Sequence, residues 1–310
     1  MNDPKSSLGK TGIFSLILIL TLFLSSCETV QPVADVATAV GVLSGKIDSQ
    51  EAEKISQTVG IFSNSFEDFT PEQEYYIGRS VAANILRTYK PYENEKLRNY
   101  LNLIGKSCSL ASTRPETFGG YHFLVVASDE INAFAAPGGL IFISKGLVKC
   151  CRSEDELAAV VAHEIAHVQY KHGLQAIRQD RITQVLGMVA EEALKDRKAD
   201  NQQLAELFDG SIGDITTTLI ANGYSQNQEF RADQGALYIL AALGYDPGAL
   251  TRVLQTMKQR LKPNTADFYR THPSPDSRIR EISKVYQAHG SIPVNSARQK
   301  RFLDATEGVD

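Results

Sequence analysis

One stretch constrains this chain more than any other. From Leu157 to Val168 the sequence reads LAAVVAHEIAHV, and only His163, Glu164 and His167 interrupt an apolar run. Ser153, with Glu156 three residues later, opens it as a capping box, and the acidic first turn suits the positive end of a helix dipole. Gly173 supplies a plausible stop. The stretch is therefore a buried helix that carries three polar side chains. Buried without partners, each would cost several kcal/mol, so something polar or cationic must meet them.

Residues four apart share one helix face. His163 and His167 point at one place from successive turns, and Glu164, rotated by about 100°, stands beside it. This is the HExxH zinc-hydrolase pattern, with two imidazoles on zinc and the glutamate as general base for an activated water. The competing reading, a solvated polar face, is weak among such apolar neighbours. A catalytic zinc needs a third protein ligand and an open position. The extended form of the motif would place His at 173, but Gly173 stands there. His172 is one position off and reads as an exposed histidine at the helix end. The third ligand is then expected downstream, as a carboxylate on another helix.

NQEFRADQGALYIL, starting at Asn227, supplies one. Glu229 and Asp233 are four apart. Glu229 would bind zinc, and Asp233 would hydrogen-bond the far nitrogen of a ligand histidine and fix its tautomer. Alone, this pair would be a solvated acidic face. Opposite an HExxH helix it becomes a ligand and its support.

The rest of the chain reads as α+β. Thr70 caps a helix from Pro71 to about Tyr89, with Glu72 and Glu74 in its first turn. A second helix covers YENEKLRNYLNLIGKSCSLAS. Short apolar runs then predict a small antiparallel sheet at roughly 121–127, 132–136 and 140–144, with Pro137-Gly138-Gly139 as a turn. Helices are expected at 174–195, 201–221, 226–243 and 247–260, and a loose polar tail from about 291 to 310. A net charge of −4 gives no reason to expect a nucleic-acid partner.

The N-terminus reads as an address rather than as fold. Lys5 and Lys10 precede an apolar run from Ile13 to Leu24, followed by LSSC ending at Cys27. The run is short for a bilayer core of about 30 Å, which disfavours an uncleaved anchor helix. The segment resembles a bacterial lipobox, which implies cleavage before Cys27 and lipidation of its sulfur. Residues 1–26 would then be a lipoprotein signal peptide and 27–67 a lipid-anchored, membrane-proximal segment. Its stretch from about 35 to 65 is expected to pack near the cleft or the membrane. Glu28, rather than an aspartate, leans toward the outer membrane. Three further cysteines, Cys108, Cys150 and Cys151, allow at most one internal disulfide, and the sequence assigns none.

HEIAH with EFRAD resembles the HtpX and CAAX-prenyl-protease type of zinc metallopeptidase, a gluzincin family, in its soluble periplasmic lipoprotein branch. INAFAAPGGLIFISKGLV, Ile131 to Val148, and THPSPDSRI, Thr271 to Ile279, are similar to two further blocks of that family, in family order. The resemblance covers about 68–285, within a domain read as 68–290. It implies a mainly helical zincin-like domain whose sheet presents an edge strand to the active site. It implies one zinc ion on His163, His167 and Glu229, with Glu164 as base. It also implies that Asn132, Ala133, Phe134 and Ala135 bind an extended substrate as an added strand. His272 would stabilise the oxyanion or occupy the open zinc position at rest, and Arg278 would steady the site. The implied activity is an endopeptidase acting on unfolded or misassembled envelope proteins, near the outer-membrane assembly machinery. Two other readings compete with it: a zinc-stabilised, chaperone-like binding module and a specialised exopeptidase.

Overall fold

The computed structural model describes residues 69–177, 223–261, 272, 274–286 and 295–309. The signal-peptide and membrane-proximal readings, Cys27 included, lie outside these residues, as does most of the two helices expected at 174–195 and 201–221. The described residues include eight α-helices and three strands: α1 Pro71–Thr88, α2 Glu95–Ala111, β1 His122–Val126, β2 Ala133–Ala136, β3 Leu140–Ser144, α3 Lys145–Val148, α4 Glu154–Gln169, α5 Gln226–Ala242, α6 Gly248–Arg260, α7 Pro275–Val285 and α8 Ser296–Thr306.

Local sequence accounts for the helix starts. Thr70 and Gln73 form a complete capping box on α1, and Ser225 and Gln228 form one on α5. The box expected on α4 is half made. Ser153 Oγ accepts the Glu156 N–H, but the Glu156 carboxylate takes the N–H of Arg152 instead of that of the cap. The chain Pro137–Gly139 forms one 3-10 turn between β2 and β3, with φ of 76° at Gly138 and 98° at Gly139. These are left-handed values that glycine adopts without a Cβ clash. Glu74, buried and bound twice by Arg114, accepts the Gly138 N–H at 3.0 Å and ties this turn to α1.

The sheet is mixed, not wholly antiparallel. Its order is β1-β3-β2, with β2 antiparallel and β1 parallel to β3. The tight Pro-Gly-Gly turn forces β2 and β3 into a hairpin. Strand β1 lies on the far side of β3, and the loop from 127 to 132 carries the chain past it to β2. The α+β class and the edge position of β2 agree with the sequence reading.

Helix α4 is the centre of the core. It packs on α5, α2, α6 and β2, and every residue from Glu156 to Val168 is buried. Its contact with α5 is close because Gly235 faces Ala166: a Cβ on Gly235 would stand 2.8 Å from the Ala166 methyl. Residues 291–310, read as a loose polar tail, contain α8, which buries Phe302 and Ala305. Arg301 of that helix binds the buried Glu154 at the start of α4. Long-range pairing orders what its own polarity would leave in water. Cys108, Cys150 and Cys151 are buried and form no disulfide.

Because the α4–α5 contact leaves no room for a side chain, Gly235→Val is expected to destabilise the protein by about 1–3 kcal/mol through overpacking. Chemical denaturation checks this, and an unchanged midpoint would show that the two helices are free to separate.

Candidate metal centre

Helix α4 sets His163 and His167 one turn apart with their rings 4.7 Å between centroids and their Nε2 atoms 3.1 Å from each other. Helix α5 crosses α4 closely enough to bring Glu229 against both. Its Oε2 lies 3.4 Å from His163 Nε2, and its Oε1 lies 3.3 Å from His167 Nε2. His272, just before α7, places Nδ1 2.8 Å from Glu229 Oε1. One ligand atom from each of these four buried residues lies within 4.8 Å of every other. Ligands about 2.0–2.1 Å from a tetrahedral ion would stand about 3.3 Å apart, close to the spacing among His163, His167 and Glu229.

The surroundings fit a cation at this point. Asp233, one turn beyond Glu229, places Oδ1 3.0 Å from His163 Nδ1, where Arg278 Nη2 also stands at 3.1 Å; the carboxylate favours a proton on that nitrogen, which would leave Nε2 for the group. Arg278 of α7 donates from Nε to Asp233 Oδ2 at 2.9 Å and from Nη2 to Oδ1, and its Nη1 stands 3.4 Å from Glu229 Oε2. Glu164, Glu229 and Asp233 thus bring three buried carboxylates to one buried guanidinium. Glu164 Oε2 and Glu229 Oε2 make no hydrogen bond although they are buried. A divalent cation would balance that charge and satisfy oxygen atoms that otherwise incur a desolvation cost.

The same environment moves the acid–base equilibria. Burial raises the Glu164 carboxyl above its ordinary range, and the cationic neighbours only partly offset it. Burial would also raise Glu229, but His272 first, and then the nearby His163 and His167, outweigh it and hold Glu229 well below its ordinary range. At His163, burial and Arg278 oppose protonation, yet Asp233 and Glu229 prevail and push the imidazole up to about 9. Burial dominates at His167 and lowers it. Asp233, desolvated but paired with Arg278 and His163, stays low.

Two residues here were not found from sequence. His172, expected at an exposed helix end, is fully buried, with Nδ1 3.0 Å from His167 Nδ1. Its burial follows from the interruption of the helix at Lys171, with φ of 55°, which helical periodicity does not foresee. Tyr224, directly before the α5 cap, stacks on His167 at 4.0 Å between centroids and donates its hydroxyl to the carbonyl of Ala135. Its only sequence signal was its place next to the helix that carries Glu229.

Asn132, Ala133, Phe134 and Ala135 are all buried. The Ser144 N–H bonds the Asn132 carbonyl, so alternation turns the backbone groups of Ala133 and Ala135 away from β3. Of these, the Ala133 N–H is taken by Asn132 Oδ1 and the Ala135 carbonyl by Tyr224. The alanine side chains face the core beside α4 and Phe134 faces the opposite side, against Tyr89.

Sequence comparison adds independent information. Residues 95–286 match the pattern of peptidase family M48. The chain is 28% identical over 235 residues to the beta-barrel assembly-enhancing protease of Yersinia pestis, covering 75% of this chain and 46% of that protein. It is 29% identical over 210 residues to the protein of the same name from Escherichia coli K12, covering 66% and 41%. It is 30% identical over 166 residues to the mitochondrial metalloendopeptidase OMA1 of Schizosaccharomyces pombe, covering 52% and 45%. The match therefore spans less than half the length of each of these relatives.

If Asp233 orients His163, Asp233→Ala lowers metal affinity by about ten- to a hundredfold. Competition against a coloured chelator measures this, and affinity equal to the parent protein would remove Asp233 from the site.

Proposed function

Because the chain belongs to peptidase family M48, we propose that it is a zinc-dependent endopeptidase that hydrolyses unfolded or misassembled envelope proteins. The observation that carries this reading is the convergence of His163, His167 and Glu229, with Glu164 buried beside them and one oxygen unbonded. Two imidazoles and a carboxylate are a donor set suited to zinc with a position left for chemistry.

Zinc bound there would supply an electrophile that polarises a peptide carbonyl and makes a nearby water acidic. The chain's own groups would do the rest. Glu164 takes the proton of the attacking water and later delivers it to the leaving amine. Its raised affinity for a proton suits a group that must hold one between those steps. Asp233 keeps the His163 tautomer, and Arg278 neutralises Asp233 without displacing a ligand. His272 stands among the ligand atoms, which favours the resting-blocker role over oxyanion stabilisation.

Substrate selection would follow from β2. A peptide added along this edge is held mainly by backbone hydrogen bonds, which tolerates many sequences and favours unfolded chains. The Asn132 carboxamide and the Tyr224 hydroxyl must yield first, since they hold two of the backbone groups such a strand would use. Among the described residues no helix is long and apolar enough to cross a membrane. With lipidation at Cys27, the protein would be held at the periplasmic face of the outer membrane. The relatives named for β-barrel assembly support action near that machinery.

Purified full-length protein in detergent is expected to cleave casein when zinc is present and not after metal removal. Glu164→Gln should retain zinc but lose about a hundred- to ten-thousandfold in rate. His272→Ala should cleave faster than the parent if His272 blocks the site. An end-blocked peptide cut internally separates endo- from exopeptidase action. Stoichiometric zinc without cleavage by either the parent or His272→Ala would leave a zinc-stabilised binding module as the better account.

A further inference from the structure

We propose that His172 is a positioning residue for the metal centre: it accepts the Nδ1 proton of His167 and thereby keeps Nε2 of His167 bare and turned toward the ligand group. The proposal rests on the metal-binding reading above. Its first support is chemical. The two Nδ1 atoms stand 3.0 Å apart, with the rings at 75°. A hydrogen bond between two imidazole nitrogens requires one to carry the proton and the other to lack it, so the two tautomers are coupled. A metal can bind Nε2 of His167 only if the proton of that neutral ring sits on Nδ1. His172 Nδ1 must then be the acceptor, and the proton of His172 must sit on Nε2.

The second support is burial. His172 is fully buried, and its Nε2 has no hydrogen-bond partner among the described residues. With the proton on Nε2 this burial is a cost of the assignment, and the Nδ1 contact with His167 is the interaction that has to offset it. Packing among Tyr170, Tyr224 and His167 would be served as well by a phenyl ring. The histidine is explained by what its other nitrogen does.

The third support is the backbone. Five residues along a continuous helix is a rotation of about 140°, which would carry His172 off the face of His167. The chain instead leaves α4 after Gln169 and passes through Lys171 at φ 55°, the only non-glycine residue with positive φ among those described. A left-handed lysine is strained, and such strain persists where the surrounding structure holds it. Here it returns His172 to His167. Each of the two histidines thus has a group able to accept a proton beside its Nδ1. For His163 the acceptor is the carboxylate of Asp233, and for His167 it is a neutral ring that adds no further negative charge.

The test is zinc titration of the full-length protein against a coloured chelator, for the parent, His172→Phe and His172→Asn. Phenylalanine keeps the ring and loses the acceptor, whereas asparagine presents an oxygen near the Nδ1 position. His172→Phe is expected to lose about ten- to a hundredfold in zinc affinity, with a metal-free form that melts no lower than the parent's. His172→Asn should recover most of that loss. Parent-like affinity in His172→Phe, or equal weakness in both variants, overturns the proposal while leaving the metal centre intact. A parent protein that binds no zinc overturns the metal centre and this proposal with it. Nitrogen NMR of the zinc-loaded parent, labelled in histidine, gives a reading that needs no variant. A proton on Nε2 of His172 supports the assignment, and one on its Nδ1 overturns it.

Discussion

Three carboxylates and one guanidinium are buried together where α4, α5 and α7 meet, and the arrangement around them answers that imbalance. Glu164, Glu229 and Asp233 come from α4 and α5, and Arg278 comes from α7. In a region of low dielectric, unbalanced charge is far more costly than on the surface, so the remaining groups must favour a cation. His163 and His167 meet that demand by turning Nε2 inward. Arg278 meets part of it by holding Asp233, which leaves Glu229 facing the imidazoles. The position of α7 follows from this pairing, because its arginine must reach two carboxylates on α5 at once.

Close approach is the second condition. Glu229 can reach both histidines only because α5 lies almost against α4, at Gly235 and Ala166. The same economy of volume appears on β2, where Ala133 and Ala135 face the core beside α4. Small side chains on both neighbours let the site be built from rigid elements, and rigid elements keep ligand atoms within a few tenths of an ångström of their places. The edge strand is held in turn by the Pro137–Gly139 turn, which Glu74 and Arg114 fasten to α1. Tyr224 joins the two parts, since one side chain stacks on His167 and bonds the edge strand.

Much of this was legible in the order of residues, because the forces that shape a helix are local. Capping residues at Thr70 and Ser153 announce two helix starts, and a four-residue spacing puts His163 beside His167 and Glu229 beside Asp233 whatever surrounds them. An apolar helix with polar side chains states by itself that partners must exist. What identifies those partners is not local. The parallel pairing of β1 with β3 depends on which strand takes the centre of the sheet. The ordering of α8 depends on Glu154, about 150 residues earlier in the chain, which binds Arg301. His172 and Tyr224 depend on a left-handed lysine and on the meeting of α5 with the edge strand.

The sequence by itself determined the helix that carries HEIAH, the pairing of ligand candidates within each helix and the α+β class. All of these rest on periodicity and capping, which act over a few residues. Only the tertiary structure decided which carboxylate faces which imidazole, that the arginine is buried and binds Asp233, and that His172 lies inside rather than outside. Such contacts join residues tens to more than a hundred positions apart, or turn on one backbone angle that lysine rarely adopts. No local preference encodes either; they follow from how densely the helices must pack to exclude water from their shared face.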